Sequence, residues 1–376
     1  MLRKVTNFSV LSCILLLQGC LIFEKITIKG KGNIKLTQVD FHSLDNWEND
    51  DHKKALQAFI QSCNRFSKMA QNRVIGGQIG DISVGDFRDV CEIAQVVKTM
   101  SAKQAKNFFE NWFKPFLVAD KSNNSKGIFT GYYEAELNGS RVKTEKYKYP
   151  IYAKPKDLTS SPYLTRSQIE AGALENKGLE LLYVDDRAEL FSLHIQGSGR
   201  VNLPDGTVAR INFAARNNQT FTGIANYLVD NNYIQRSEMN AIGVKEWIRK
   251  NPNRAEEVMN VNAAYTFFKF SDGEHVVGAQ NVPLTPERSL AIDSEWFSYG
   301  FPLWVDTVLT KKDGEREKYS HLLIAQDTGS AIKGLVRGDI FFGHGKTAME
   351  KASYMHSTGQ YYVLLPINVV DKMRGL

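Results

Sequence analysis

From Gly127 to the C-terminus the chain is written as short β-like runs separated by Gly, Asn and Asp turns, and that texture is its strongest constraint. The predicted strands are Ile128–Tyr133, Tyr149–Ala153, Leu190–Ile195, Val208–Phe213, Tyr265–Phe270, His275–Ala279, Leu290–Ile292, His321–Ala325, Asp339–Phe342 and Tyr361–Leu365. Their spacing is uneven and no βαβ alternation appears, which argues against a doubly wound fold. Mainly β architecture follows, a barrel or sandwich with helical decoration. Before Gly127 the period changes. Leu56, Phe59, Ile60, Cys63 and Phe66 recur at helical spacing, Val90, Ile93, Val97 and Met100 suggest a second helix, and Ser101 can cap a third that carries Phe108, Phe109, Trp112 and Phe113. That aromatic stripe reads as core. Thr165-Arg166-Ser167-Gln168 matches a capping box for a short helix, and Phe221–Val229 and Lys245–Ile248 are two more.

The first twenty residues, MLRKVTNFSVLSCILLLQGC, place Arg3 and Lys4 before a short apolar run that is too brief to span a bilayer. The ending Leu17-Gln18-Gly19-Cys20 resembles a bacterial lipobox, so Cys20 is expected to carry lipid and to begin the mature chain. With Leu rather than Asp at position 21, the expected location is the outer membrane, lipid-anchored and facing the periplasm. Loss of Arg3 and Lys4 lowers the net charge from +6 to +4 over the whole chain, which gives no basic stripe for nucleic acid. Of four cysteines, Cys13 leaves with the signal and Cys20 takes lipid. Cys63 and Cys91 remain, either bridged in an oxidising compartment or as two buried thiols, and the bridge is the preferred reading. The seven His form no HxH or HExxH and no CxxC occurs, so no metal and no cofactor is expected. At 376 residues, 43% apolar and 23% charged, the chain suits about two globular domains rather than disorder or a multi-span membrane protein.

Three acids end or open strand-like runs: Asp293, Asp327 and Asp339. Asp339 is followed by Ile340, Phe341 and Phe342, surroundings that disfavour a carboxylate and keep it protonated near neutral pH. Such an acid can donate to a glycosidic oxygen. Asp327-Thr328-Gly329-Ser330 also matches the DTGS of aspartic proteases, but that chemistry needs a second DTG or DSG, and there is none. Thr130-Gly131-Tyr132-Tyr133 is a second cluster: adjacent strand residues face opposite ways, so one tyrosine is expected in the core and the other at a sugar. Gln196-Gly197-Ser198-Gly199 is a third, read either as a tight turn or as backbone that approaches a ligand. It is no phosphate loop, lacking a Lys-Ser/Thr.

FTGYYEAELNGSR (129–141), YPIYAKP (149–155), SQIEAGAL (167–174), LHIQGSGRV (193–201), TFFKF (266–270), GAQNVPLTPERSLAID (278–293) and QDTGSAIKGLVRGDIFFGHG (326–345) occur in this order. Together they resemble the membrane-bound lytic murein transglycosylase A (MltA) family over about residues 127–365, and the first hundred residues only loosely. The resemblance implies a double-psi β-barrel with a smaller inserted β domain and a sugar groove between them. Carried over by motif, residues 1–20 are signal, 21–133 tether, helical layer and first part of the barrel, 134–272 the insert, and 273–376 the second part of the barrel, the three-aspartate module. The resemblance makes Asp339 the acid/base and Asp327 and Asp293 its supports, with Thr130, Gly131, Tyr132, Tyr133, Gln196, Gly197, Ser198 and Gly199 toward substrate. It implies cleavage of peptidoglycan glycan strands with formation of 1,6-anhydro-muramoyl ends, by a monomer held at the membrane through its lipid. The LVRG stretch before Asp339 looks one residue longer than in some members, which affects loop geometry. The rival readings are a hydrolytic muramidase and a non-enzymatic peptidoglycan-binding lipoprotein.

Overall fold

The computed structural model describes residues 26–375 apart from 100, 272 and 274. The signal sequence and Cys20 therefore lie outside the described residues. Six strands close on one another: Gly127–Ser140, His356–Pro366, Pro302–Thr310, Arg316–Asp327, Ser289–Ile292 and Arg337–His344, the last pairing back to the first. Two of the pairings are parallel, Ser289–Ile292 with Arg316–Asp327 and Arg337–His344 with Gly127–Ser140. This is the double-psi barrel. Phe129, Leu290, Ile340, Leu303, Leu323 and Val363 are buried on one side of these strands, and Trp304, Leu322 and Ile324 on the other, where Trp304 meets Trp47 of the helical layer; all are essentially inaccessible. Each such side chain contributes about 1.5–3 kcal/mol on burial.

The fourteen-residue strand Gly127–Ser140 is the hinge of the architecture. Its first half belongs to the barrel, while Ala135–Asn138 pairs with Ser198–Asn202 and Gly139–Ser140 with Val184 and Tyr183. A second sheet thus grows from the same strand through Val208–Arg216 to Thr266–Phe270. Helices Ile224–Asp230, Ala241–Lys250 and Pro252–Asn260 pack beside it around Leu228, Trp247 and Val258.

The helical layer forms as its caps dictate. Ser101 accepts from Gln104 N at the head of Ala102–Trp112, and the Gln104 side chain returns a bond to the Ser101 backbone. Phe59, Phe108, Phe109 and Phe113 meet at centroid distances of 5.1–6.2 Å, so the aromatic stripe is core. Cys63 and Cys91 form a disulfide between helices His52–Phe66 and Arg88–Val97. Asp50 anchors this layer to the barrel. Its buried carboxylate accepts from Arg288 Nη1 and Nη2 (2.9 and 2.8 Å) and from Leu322 N (3.0 Å), with His321 Nδ1 at 2.7 Å. Burial pushes its pKa up, but His321 and Arg288 more than offset this and hold it well below the usual carboxylate range.

Two predicted strands are corrected. Leu190–Ile195 lies in the helix Arg187–Gln196, whose N-terminus is capped by Asp186 accepting from Ala188 N and Glu189 N. Leu190, Phe191, Ser192, Leu193 and His194, more than one full turn, are all buried while the apolar Ile195 is exposed, so the helix shows no amphipathic period. His275–Ala279 is irregular backbone with one isolated bridge, Val277 to Pro283. Its job is to turn, delivering the Ala279 N–H to Asp327.

Candidate active site

The short strand Ser289–Ile292 brings two of the three aspartates together. Ala291 is in register with Asp327 on one side and with Asp339 on the other. Two strand spacings separate the acids, about 10 Å between Cα atoms. With only the Ala291 methyl between them, there is room for a ring from the next strand. Tyr132 crosses over and donates its hydroxyl to Asp327 Oδ2 (2.7 Å), packing on Phe341 at 5.2 Å and among Val276, Leu284 and Ile332.

Asp339 is opposite Thr130 in the parallel pairing. Arg337 Nη2 donates to Thr130 Oγ1 (2.8 Å), and Thr130 Oγ1 donates to Asp339 Oδ1 (2.6 Å). Burial pushes the Asp339 carboxyl up to about 6; the Thr130 bond and Arg337 oppose the rise and the charge of Asp327 adds to it. Asp327 is also raised by burial, against the pull of Tyr132, Ala279 N and Thr328 N. Both of its oxygens are engaged: Oδ1 accepts from Ala279 N and Thr328 N at 2.9 Å each, and Oδ2 from Tyr132. Asp293 stands apart from this pair. It is buried and ties down the loop before Asp339, accepting from Gly334 N (2.9 Å) and Lys333 Nζ (3.3 Å). These contacts tie Asp293 to the Lys333–Gly334 turn that leads into the strand Arg337–His344.

The other predicted residues divide between two surroundings. Thr130, Gly131, Tyr133 and Gln196 line one cavity of about 290 Å³ with Met239 and Ala352. Gly131 is required there: a Cβ would sit 2.4 Å from the Phe342 ring and 2.9 Å from Ala352 Cα in the helix Gly345–Tyr354. Gln196 accepts from Tyr133 N (3.0 Å). Gly197, at φ 81°, ends the helix Arg187–Gln196, and Ser198 and Gly199 open the next strand, Gly199 beside Ala135. The expectation that one of the adjacent tyrosines is free is corrected: both are buried, Tyr132 on Asp327 and Tyr133 with its hydroxyl near Ser192 Oγ (3.1 Å) and Lys245 Nζ (3.3 Å). At the two tyrosines the strand is covered by Val276, Leu284 and Ile332 on one side and by helices Arg187–Gln196 and Gly345–Tyr354 on the other, so neither ring is free. Sequence reasoning missed Arg337 and the spacer Ala291. Arg337 was detectable in principle, two residues before Asp339 and therefore on the same strand face. Among the described residues no group of His, Cys, Asp and Glu is arranged to hold a metal ion.

The fold and site define a barrel carrying a three-aspartate module, interrupted by an inserted sheet domain. Family models agree with both parts: the MltA specific insert domain matches residues 128–269 and the 3D domain residues 288–365. The chain is similar to MltA from Neisseria gonorrhoeae, with 34% identity, 91% of this chain and 95% of that one covered, and a TM-score of 0.77. It is also similar to the membrane-bound lytic murein transglycosylase from Agrobacterium tumefaciens, with 28% identity, 90% and 99% covered, and a TM-score of 0.80. Membrane-bound lytic murein transglycosylase A of Vibrio cholerae is 32% identical over 242 residues, 63% of this chain and 64% of that relative, so the sequence match spans just under two thirds of the relative's length. The chain belongs to the MltA family.

Proposed function

We propose that this protein is a lytic transglycosylase that cleaves the β-1,4 bond between N-acetylmuramic acid and N-acetylglucosamine of peptidoglycan, with Asp339 as its single acid/base. The observation that carries the reading is the contrast between the two carboxyls. Asp339 is held near pKa 6 with one donor on it, whereas Asp327 accepts three hydrogen bonds, with a donor on each oxygen. A hydrolytic glycosidase uses two working carboxylates. Here the C6 hydroxyl of the muramic acid takes the place of the second, and its attack is intramolecular. Asp339 protonates the leaving glycosidic oxygen; the resulting carboxylate accepts the C6 hydroxyl proton as O6 bonds to C1. The products are a 1,6-anhydro-muramoyl end and a free N-acetylglucosamine end, with no water consumed. Arg337 and Thr130 hold the Asp339 carboxyl in place, Tyr132 does the same for Asp327, and Asp293 secures the loop. The insert, taken as 134–272, supplies the far wall of the groove. Lipid on Cys20 anchors the chain to the outer membrane facing the periplasm; among the described residues no helix is long and apolar enough to cross a membrane. The protein acts as a monomer.

Mass spectrometry of products from residues 21–376 and peptidoglycan tests this. Muropeptides one water lighter than hydrolytic products, lost in Asp339→Asn, are the expected result. Full-mass reducing ends would indicate a hydrolase, and binding with no products a non-enzymatic lipoprotein.

A further inference from the structure

One face of the long strand carries Thr130, Tyr132 and Glu134 in succession. The first touches Asp339 and the second Asp327. Glu134 lies about 13 Å beyond Thr130 and meets a different environment. Its carboxylate faces Arg200, Oε2 to Nη1 3.8 Å. Arg200 stands directly opposite Arg210 across the antiparallel pair Ser198–Asn202 and Val208–Arg216. Like charges in direct cross-strand register destabilise a sheet, so this pairing has no structural benefit of its own. Glu134 is a weak counter-ion for both: it is buried, and burial raises its pKa although Arg200, Arg210 and His344 pull it down. Glu136, next on the same face, has His344 Nδ1 at 3.0 Å. Arg210 gives one Nη1 bond to Gly273 O (3.2 Å), while its Nε is buried with no partner among the described residues. Arg200, Arg210 and Glu134 line a cavity of about 520 Å³ together with His275, Phe341 and His344. Phe341 is two residues from Asp339 on the same face of its strand, about 7 Å along it, so one wall of this cavity stands next to the position of the acid/base.

We propose that Arg200 and Arg210 form an anion subsite that takes a carboxylate carried on muramic acid. This rests on the peptidoglycan reading above and deepens it. Paired guanidinium groups suit a carboxylate, which accepts from both and removes the repulsion between them. Muramic acid offers that carboxylate in two forms: its own lactyl group where the stem peptide is absent, or the free carboxylates of a stem peptide amide-linked to that lactyl group. N-acetylglucosamine oligomers offer none.

The test measures affinity by calorimetry in the full mature chain bearing Asp339→Asn, so that binding is read without turnover. The probes are chitohexaose, glycan strands stripped of peptides by an amidase, and stem-bearing strands. Arg200→Gln with Arg210→Gln is expected to weaken carboxylate-bearing strands about tenfold or more, since the lost bonds are charge-assisted, and to leave chitohexaose within twofold. Arg200→Lys with Arg210→Lys, which keeps the charge and the packing, is expected to recover part of the loss. A loss on peptide-stripped strands alone assigns the lactyl carboxylate, a loss on stem-bearing strands alone assigns the peptide, and a loss on both means that the subsite takes a carboxylate in either position. Equal weakening of chitohexaose, or no weakening of either muramyl probe, would overturn the subsite. If the Asp339→Asn chain with both arginines intact bound none of the three probes, the peptidoglycan reading itself would fall, and the subsite with it.

Discussion

Asp339→Asn should make the protein more stable at neutral pH while removing nearly all cleavage. Asn keeps the size of the side chain and an oxygen to accept the Thr130 hydroxyl, so the substitution removes charge and little else. The Asp339 carboxyl is raised from an ordinary 3.8 to about 6 in the folded chain, a net effect that already includes the favourable pull of Arg337. The sign follows from proton binding. Between pH 4 and 6 the folded state holds a proton that the unfolded state has released, so stability falls as pH rises through that window. At pH 7.5 the ionised Asp339 costs about 3 kcal/mol relative to a neutral group, and at pH 4 nothing. Urea unfolding of wild type and Asp339→Asn at both pH values measures this directly. The expected gain is about 3 kcal/mol at pH 7.5, about 5 °C in Tm, and close to zero at pH 4. Cleavage should fall by about 10²–10⁴, the usual contribution of a general acid. A variant no more stable at pH 7.5, or equally stabilised at pH 4, would refute the claim that burial strains this carboxylate.

Other consequences follow from single contacts. Tyr132→Phe removes a donor that lowers the Asp327 pKa, so that pKa should rise further and cleavage drop about tenfold, consistent with loss of a bond to a charged group; an unchanged pH–rate profile would count against it. Asp50→Ala leaves the buried Arg288 without its partner and should destabilise by about 3–5 kcal/mol at pH 7. Because the folded Asp50 pKa is depressed, that contribution is present above about pH 4 and is lost as pH falls below it, so the gap between variant and wild type should narrow in acid unfolding. The Cys63–Cys91 bridge closes a separation of 28 residues, worth about 3–4 kcal/mol by loop entropy. Reductant should lower Tm in the wild type and leave Cys63→Ser/Cys91→Ser unaffected; an identical response in both would remove the bridge from the account.

Much of this protein is written locally. The capping boxes at Ser101 and Thr165 stand where the residues indicate, and most strands run where β-like stretches begin. The apolar neighbours of Asp339 were enough to expect a raised pKa. The failures have a common origin. The helix Arg187–Gln196 shows no helical period because five consecutive residues, Leu190 to His194, are buried, although Asp186 and Gly197 mark its two ends. The tyrosine pair was misjudged because alternation assigns a face to a side chain without telling what covers that face.

The site itself depends on longer range. Thr130 reaches Asp339 across 209 residues and Tyr132 reaches Asp327 across 195. Nothing in either stretch specifies the other, since many neighbours satisfy the same alternation of apolar and polar positions. What decides is strand order: closure of six strands puts Ala291 between two acids and sets Arg200 opposite Arg210. Caps, periods and an acid among apolar residues are short-range properties, readable from the chain alone. A carboxylate with a donor on each oxygen and another left with one donor is a property of packing, and only the closed barrel creates it.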